Sequence, residues 1–188
     1  MCGSGLISLL VELLFAGYID RSVRFTAKAG PDRLVTIDGT KELLLVDAAA
    51  TEHNKVIIIT EPDINNLIRT KAAIYAACDL LLHSAGLDFS TIDKVLIAGG
   101  FGKYIDLKAA IRIGLFPDFN LSKFSYLGNT SLAGAARMLL SKQYRITINE
   151  LPGKMTYIDL SSELKYMDAY TSALFLPHTE LERFPSVK

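Results

Sequence analysis

The sequence predicts an α/β domain built on a mixed β-sheet with helices on both faces, and three observations predict it. An Asp38-Gly39 turn between the apolar runs Leu34–Ile37 and Glu42–Val46 marks a hairpin, the antiparallel part of the sheet within residues 33–60. Beyond that, strand-length apolar runs alternate with longer stretches of helical period. Finally, Val95-Leu96-Ile97-Ala98 stops at Gly99-Gly100 and turns into a helix, the punctuation of a βα unit. With 188 residues, 50% of them hydrophobic, the chain has the length of one ordinary domain with a proper core.

The elements follow in order. Leu6–Ala16 is apolar apart from Ser8 and Glu12, a buried helix that Gly17 can end. It is too short to span a membrane, and no basic segment or cleavage site makes it a signal peptide. Cys2-Gly3-Ser4-Gly5 enters this helix with no element before it, as in a domain cut from a longer chain with Met1 as a start codon at the cut. Apolar surface left there would favour self-association. Residues 18–32 read as a polar connection. Lys55–Ile59 is a third strand whose unbroken apolar run suggests burial on both faces.

Thr60–Ala85 is the longest helix, with Thr60 as N-cap, Pro62 in the first turn and Asp63 completing a capping box. Ile64, Leu67, Ile68, Ile74, Tyr75, Cys78 and Leu82 share one face, with Cys78 as a small core residue. Lys71 falls in the middle of that face, where it must either snorkel to water or meet an anion.

Gly86 closes this helix. After the glycine loop, Asp106 can cap a helix over Leu107–Ile113 that Gly114 ends. Phe124–Leu127 is a short strand ending at Gly128-Asn129. The helix Thr130–Ser141 follows, with Ala133, Gly134, Ala135 and Ala136 allowing close approach. Met155–Leu160 reads as a last strand. Ser161 or Ser162 can cap a helix reaching Ser172, and Ala173–Lys188 as a surface tail would carry His178 into solvent.

Composition excludes several function classes. Twenty basic and twenty acidic residues leave no surplus for nucleic acid, and no Lys/Arg run marks a membrane surface. Two cysteines, Cys2 and Cys78, form no disulfide framework and suit a reduced, cytoplasmic setting. His53, His83 and His178 are not spaced as metal ligands, so no metal site is expected. No nucleophile or general base can be named, so catalytic residues stay unassigned.

Gly99, Gly100 and Gly102 remain. Such a loop either lets a backbone N–H approach a sugar or phosphate or is a tight turn. It is not a dinucleotide fingerprint, because Ile105 stands at the third glycine. It is not a Walker A loop either, because Tyr104 follows Lys103 and Ile97 replaces the first glycine.

Several stretches together resemble one family. They are Cys2-Gly3-Ser4-Gly5-Leu6-Ile7, Ile59-Thr60 through Lys71-Ala72-Ala73-Ile74, Ala98 to Asp106, Ala110 to Leu115, Gly128-Asn129 with its small-residue helix, and Ala173 to His178. The family is the ATP-dependent reductive activators of corrinoid proteins. Full-length members join an N-terminal [2Fe–2S] domain to an ATPase domain of the actin, sugar kinase and heat-shock-70 superfamily, with a ribonuclease H-like fold.

The resemblance implies that residues 1–188 are the C-terminal portion of that ATPase domain. The [2Fe–2S] domain and the phosphate-loop half, with its ATP phosphates and Mg²⁺, would lie upstream; Asp38-Gly39-Thr40 is only superficially like such a loop. Gly99, Gly100, Phe101 and Gly102 would form the adenosine loop, Lys71 would reach the base or ribose, and Gly128 and Asn129 would mark the second connecting segment. ATP use would drive Co(II) to Co(I) reactivation of a corrinoid protein, and the fragment alone would be inactive. The implied partners are that corrinoid protein and the chain's own upstream half; a homodimer is the further expectation. Two alternatives stay open: a non-catalytic docking module for a corrinoid or iron–sulfur protein, and a small-metabolite kinase of the same superfamily.

Overall fold

In the computed structural model, residues 2–100 and 102–187 are described, Ser161 by its backbone alone. The first helix, α1 (Gly3–Ala16), buries Ile7, Leu10, Val11 and Leu13 and ends at Gly17 with φ +73°. Side chains of this kind contribute about 1.5–3 kcal/mol each when buried. The helix lies against α3 (Leu107–Arg112), so most of the apolar face expected to be left open is covered within the chain. The segment after α1 is not simply polar: Ile19, Val23 and Phe25 join the same core.

Three antiparallel strands follow, β1 (Leu34–Ile37), β2 (Thr40–Val46) and β3 (Ile57–Thr60), in the order β1-β2-β3. Ile37 pairs with Thr40, so Asp38 and Gly39 alone make the turn, with φ +47° and +79°. Both central residues at positive φ match the right-handed twist of the flanking strands. The expectation that β3 is buried on both faces is corrected: Ile57 and Ile58 are exposed and only Ile59 enters the core. Val35 and Ile37 of β1 are exposed with them.

The long helix α2 (Glu61–Ser84) starts with the expected capping box: Thr60 accepts from the Asp63 N–H, and Asp63 accepts from the Thr60 N–H at 3.0 Å. Its buried face is Ile64, Ile68, Lys71, Ala72, Tyr75, Ala76 and Leu80. The face is rotated from the expected one. Cys78 and Ile74 are exposed, whereas Ala76 and Ala72, the latter in the second core cluster, are fully buried.

A separate two-stranded parallel sheet carries β4 (Val95–Ala98) beside β5 (Phe124–Gly128). Asp106 caps α3 through the N–H groups of Lys108 and Ala109, and Gly114 turns at φ +75°. The antiparallel and parallel strands therefore belong to an α/β architecture as two small sheets.

Past β5 come α4 (Thr130–Leu140) and a helix not expected from the sequence, α5 (Lys142–Glu150). Neither has a buried residue. Met155–Leu160 is not a strand; Met155 to Asp159 are irregular, Leu160 begins a 3₁₀ turn, and no described strand pairs with them. The last helix, α6 (Leu164–Ser172), packs on α2 and is entered through Glu163, which makes no side-chain cap; the Ser161 side chain lies outside the described residues.

The segment after α6 corrects the expectation most. It is a strap through the core, with Ala173, Leu176, His178 and Phe184 all buried. Its backbone carbonyls are taken alternately by two cations. Lys71 Nζ donates to the carbonyls of Ala173, Phe175 (2.8 Å) and Pro177 (2.7 Å). Arg21 donates to those of Leu176 (2.8 Å) and His178 (2.6 Å).

Candidate functional site

Parallel strands present their carboxyl ends to one edge, and ligands of α/β sheets bind outside that edge. Here both strands end in glycine. Gly99, at φ +95°, donates its N–H to the carbonyl of Gly128, itself at φ +68°, at 2.7 Å. A β-branched or bulky residue would be strained at either position. This bond ties the loop after β4 to the loop after β5, so the structure brings Gly99, Gly100, Gly128 and Asn129 to one place.

Space at this edge is the second feature. Among the described residues, a methyl group at Gly99, Gly100 or Gly128 would meet no atom within 4 Å beyond those of its chain neighbours. Backbone that is bare and open is backbone a flat or sugar-like ligand can approach. Gly102 differs: a methyl there would lie 2.5 Å from Cγ2 of Ile97, so its missing side chain lets the turn close on the strand. Phe101 lies outside the described residues. Asn129 is exposed and caps α4, its side-chain oxygen accepting from the Leu132 N–H at 3.0 Å. The α4 N-terminus thus opens beside Gly128, where its free N–H groups and dipole favour an acceptor.

Lys71 is not at this edge. It is fully buried, and its three N–H groups are matched by three carbonyls of the strap. Neither expected environment, water or an anion, is the one found. Burial pulls its pKa down to about 7, while three acceptors around one nitrogen suit the ammonium with its three protons. The cage needs Gly114, because a methyl there would fall 2.0 Å from the Pro177 carbonyl oxygen.

His178, expected in solvent, is 2% exposed. Its Nδ1 accepts the Glu180 N–H at 3.0 Å, and its ring lies 5.3 Å from that of Tyr75. Burial, assisted by Arg183 and Lys71, pushes its pKa down to about 4. Sequence reasoning also missed Arg21, one of three cations, with Arg24 and Lys28, in a stretch read as polar. The Ile19, Val23 and Phe25 pattern around it was the available sign that this turn is packed.

Among the described residues no group of three or more His, Cys, Asp or Glu could hold a metal ion. An iron–sulfur cluster takes four thiolates, and the chain has two cysteines, Cys2 and Cys78, both exposed. These residues do not fit such a cluster. No helix among the described residues is long and apolar enough to cross a membrane.

Comparison with known proteins places this architecture. The whole chain, residues 1–188, matches the family described as the C-terminal domain of RACo, the ASKHA domain. It is 32% identical over 176 residues to the corrinoid activation enzyme RamQ of Eubacterium limosum, a match covering 90% of this chain and 30% of RamQ. It is also 32% identical over 100 residues to the Co(II) methylated amine-specific corrinoid protein reductase of Methanosarcina barkeri, covering 53% of this chain and 18% of that protein. A solved structure named reductive activator for corrinoid, iron–sulfur protein superposes with a TM-score of 0.90 at 48% identity, covering 100% of this chain and 30% of that one. The chain thus spans about a third of these relatives' length. It belongs to the RACo C-terminal ASKHA-domain family and has that family's actin-like ATPase fold.

Proposed function

We propose that this chain is the C-terminal portion of an actin-like ATPase domain and supplies the adenosine side of its nucleotide site. The longer protein would use ATP to drive reductive reactivation of a corrinoid protein, Co(II) to Co(I). The relatives' names support the corrinoid activation. The observation that carries the adenosine assignment is the junction of Gly99 with Gly128, where two parallel strands end in backbone open to a ligand.

In this reading Gly99 and Gly100 give the ribose and base their flat approach, and the start of α4 offers donors beside them. Gly102 and Lys71 act from behind: Gly102 closes the turn, and Lys71 fastens the strap. ATP with Mg²⁺, when bound, supplies the free energy of hydrolysis. Its phosphate loops and the [2Fe–2S] centre belong to other parts of the protein, as do the catalytic residues. Nucleotide binding then works by population shift: a ligand with different affinity for open and closed arrangements biases docking or release of the corrinoid partner.

The test is ATP binding to the full-length protein, wild type against Gly100→Val. A valine side chain would fill the open space at the glycine and weaken binding by about tenfold or more, one to two kcal/mol of lost contact. An unchanged dissociation constant would remove Gly100 from the site. A full-length protein that binds no ATP would instead be a docking module, and one that yields a phosphorylated metabolite would be a kinase.

A further inference from the structure

The opposite end of the parallel pair, where β4 and β5 begin, opens into a cleft of about 880 Å³. Its walls come from the end of α2, the segment leading into β4, the turn around Pro117, α6 and the strap. The volume is that of a small-molecule site. Strands of four and five residues separate this cleft from the glycine edge.

Three features define what the cleft would hold. The first is an aromatic wall: Tyr75 and Phe89 lie 5.5 Å apart, and Phe89 and Phe119 6.1 Å. The second is charge. Asp79, Asp88, Asp118, Asp168 and Glu180 line it against three cations, each already engaged. Arg183 is held by Asp79 and Glu180, Lys123 by the Ile92 carbonyl and over the Phe119 ring, and Lys165 by His83 at 3.2 Å; Asp88 accepts from Ser90 and Asp118 from Ser186, which among the described residues leaves Asp168 as the acceptor facing the cleft.

The third feature is His178. Because its Nδ1 accepts from Glu180, the neutral ring carries its proton on Nε2. That N–H has no hydrogen-bond partner among the described residues, yet it is not a fully enclosed orphan, so it opens onto the cleft that His178 lines.

We propose that this cleft is a second binding site, for a planar amino-substituted heteroaromatic that carries no phosphate. The ring lies against Phe89, a ring nitrogen or carbonyl accepts from His178 Nε2–H, and the amine donates to Asp168. A bare alkylammonium or guanidinium would leave the imidazole donor without an acceptor. A phosphate or carboxylate would meet the acidic surplus. Neither the fold family nor the glycine edge is needed for this argument.

Adenine and AMP are the probes, added to the full-length protein with ATP saturating any nucleotide edge. The readout is the Nε2–H resonance of His178 in the ¹⁵N-labelled protein, alongside calorimetry. Adenine is expected to shift that resonance saturably, and AMP to bind at least about tenfold more weakly because its phosphate faces the carboxylates. Asp168 is exposed on α6, so Asp168→Lys should weaken adenine about tenfold without unfolding the protein and leave ATP binding unchanged. A His178 resonance unmoved by adenine at about 10 mM, where even millimolar affinity would saturate, overturns the proposal. So does AMP binding as tightly as adenine, or adenine binding unchanged in Asp168→Lys. A loss of ATP binding in Gly100→Val with adenine still shifting His178 would separate the two sites.

Discussion

Lys71 shows how much one side chain can organise. A buried ammonium is tolerated when each proton has an acceptor, and here the acceptors are three carbonyls of alternate strap residues. Lys71→Met would keep most of the stem but leave three carbonyls without a donor. It should lower stability by about 3–5 kcal/mol, read by urea denaturation; a loss below about 1 kcal/mol would mean the strap is held by its apolar residues instead. Gly114 is coupled to the same cage. Gly114→Ala combines a positive φ with a 2.0 Å clash at the Pro177 carbonyl, whereas Gly39→Ala in the open hairpin turn has only the φ cost of about 1 kcal/mol. The first substitution should be the more damaging by several degrees in melting temperature.

His178 sets a pH dependence. Its ordinary pKa is 6.5, and in the fold it is about 4, the ring facing Arg183, Glu180, Lys71 and Asp79. Between those values the unfolded chain takes up a proton that the folded chain refuses. Stability is therefore fully present above about pH 6.5 and is lost as pH falls toward 4, by an amount on the order of 3 kcal/mol. His178→Gln should flatten that window in denaturation curves recorded across it. A wild-type curve flat between pH 6.5 and 4.5 would show the ring to be more open to water than its burial implies.

At the scale of elements, α2 is the case where local signals and packing part company. Its start is local: Thr60, Pro62 and Asp63 specify it within one turn, and Thr60→Ala should cost about 1 kcal/mol of thermal stability. Its buried face is not local. Hydrophobicity alone selects Ile74, Cys78 and Leu82, but Ala72 and Ala76 face inward, Ala72 in one cluster with Ala173 and Phe184 of the strap. Lys71 was legible as an anomaly on that face, while its solution was not, since the carbonyls that answer it lie more than 100 residues away. The glycine edge was legible because its cause is local: positive φ at Gly99 and Gly128 restricts the residue type wherever the chain ends up.

At the scale of the molecule, the uncovered surface lies where the sequence did not place it. The α1 face expected to be sticky is packed on α3. Leu139, Leu140 and Tyr144 on α4 and α5 are exposed instead, the first two at 82% and 88%. An apolar surface of this kind seeks a partner. The 188-residue chain on its own is expected to self-associate in sedimentation velocity, and Leu139→Glu with Leu140→Glu should return it to monomer. A wild-type chain that sediments as a monomer at high concentration would show the two helices to be soluble as they stand.

By itself the sequence determined the α/β class, the caps of α2 and α3, the Asp38-Gly39 turn without its register, and the glycines that end β4 and β5. Each depends on residues within a few positions of one another. Only the tertiary structure decided that α2 turns its alanines inward, that Met155–Leu160 forms no strand and that the last residues run through the core. Alternate carbonyls of that strap are indistinguishable from any others until Lys71 and Arg21 reach them from distant elements, and no periodicity in the chain records such a meeting.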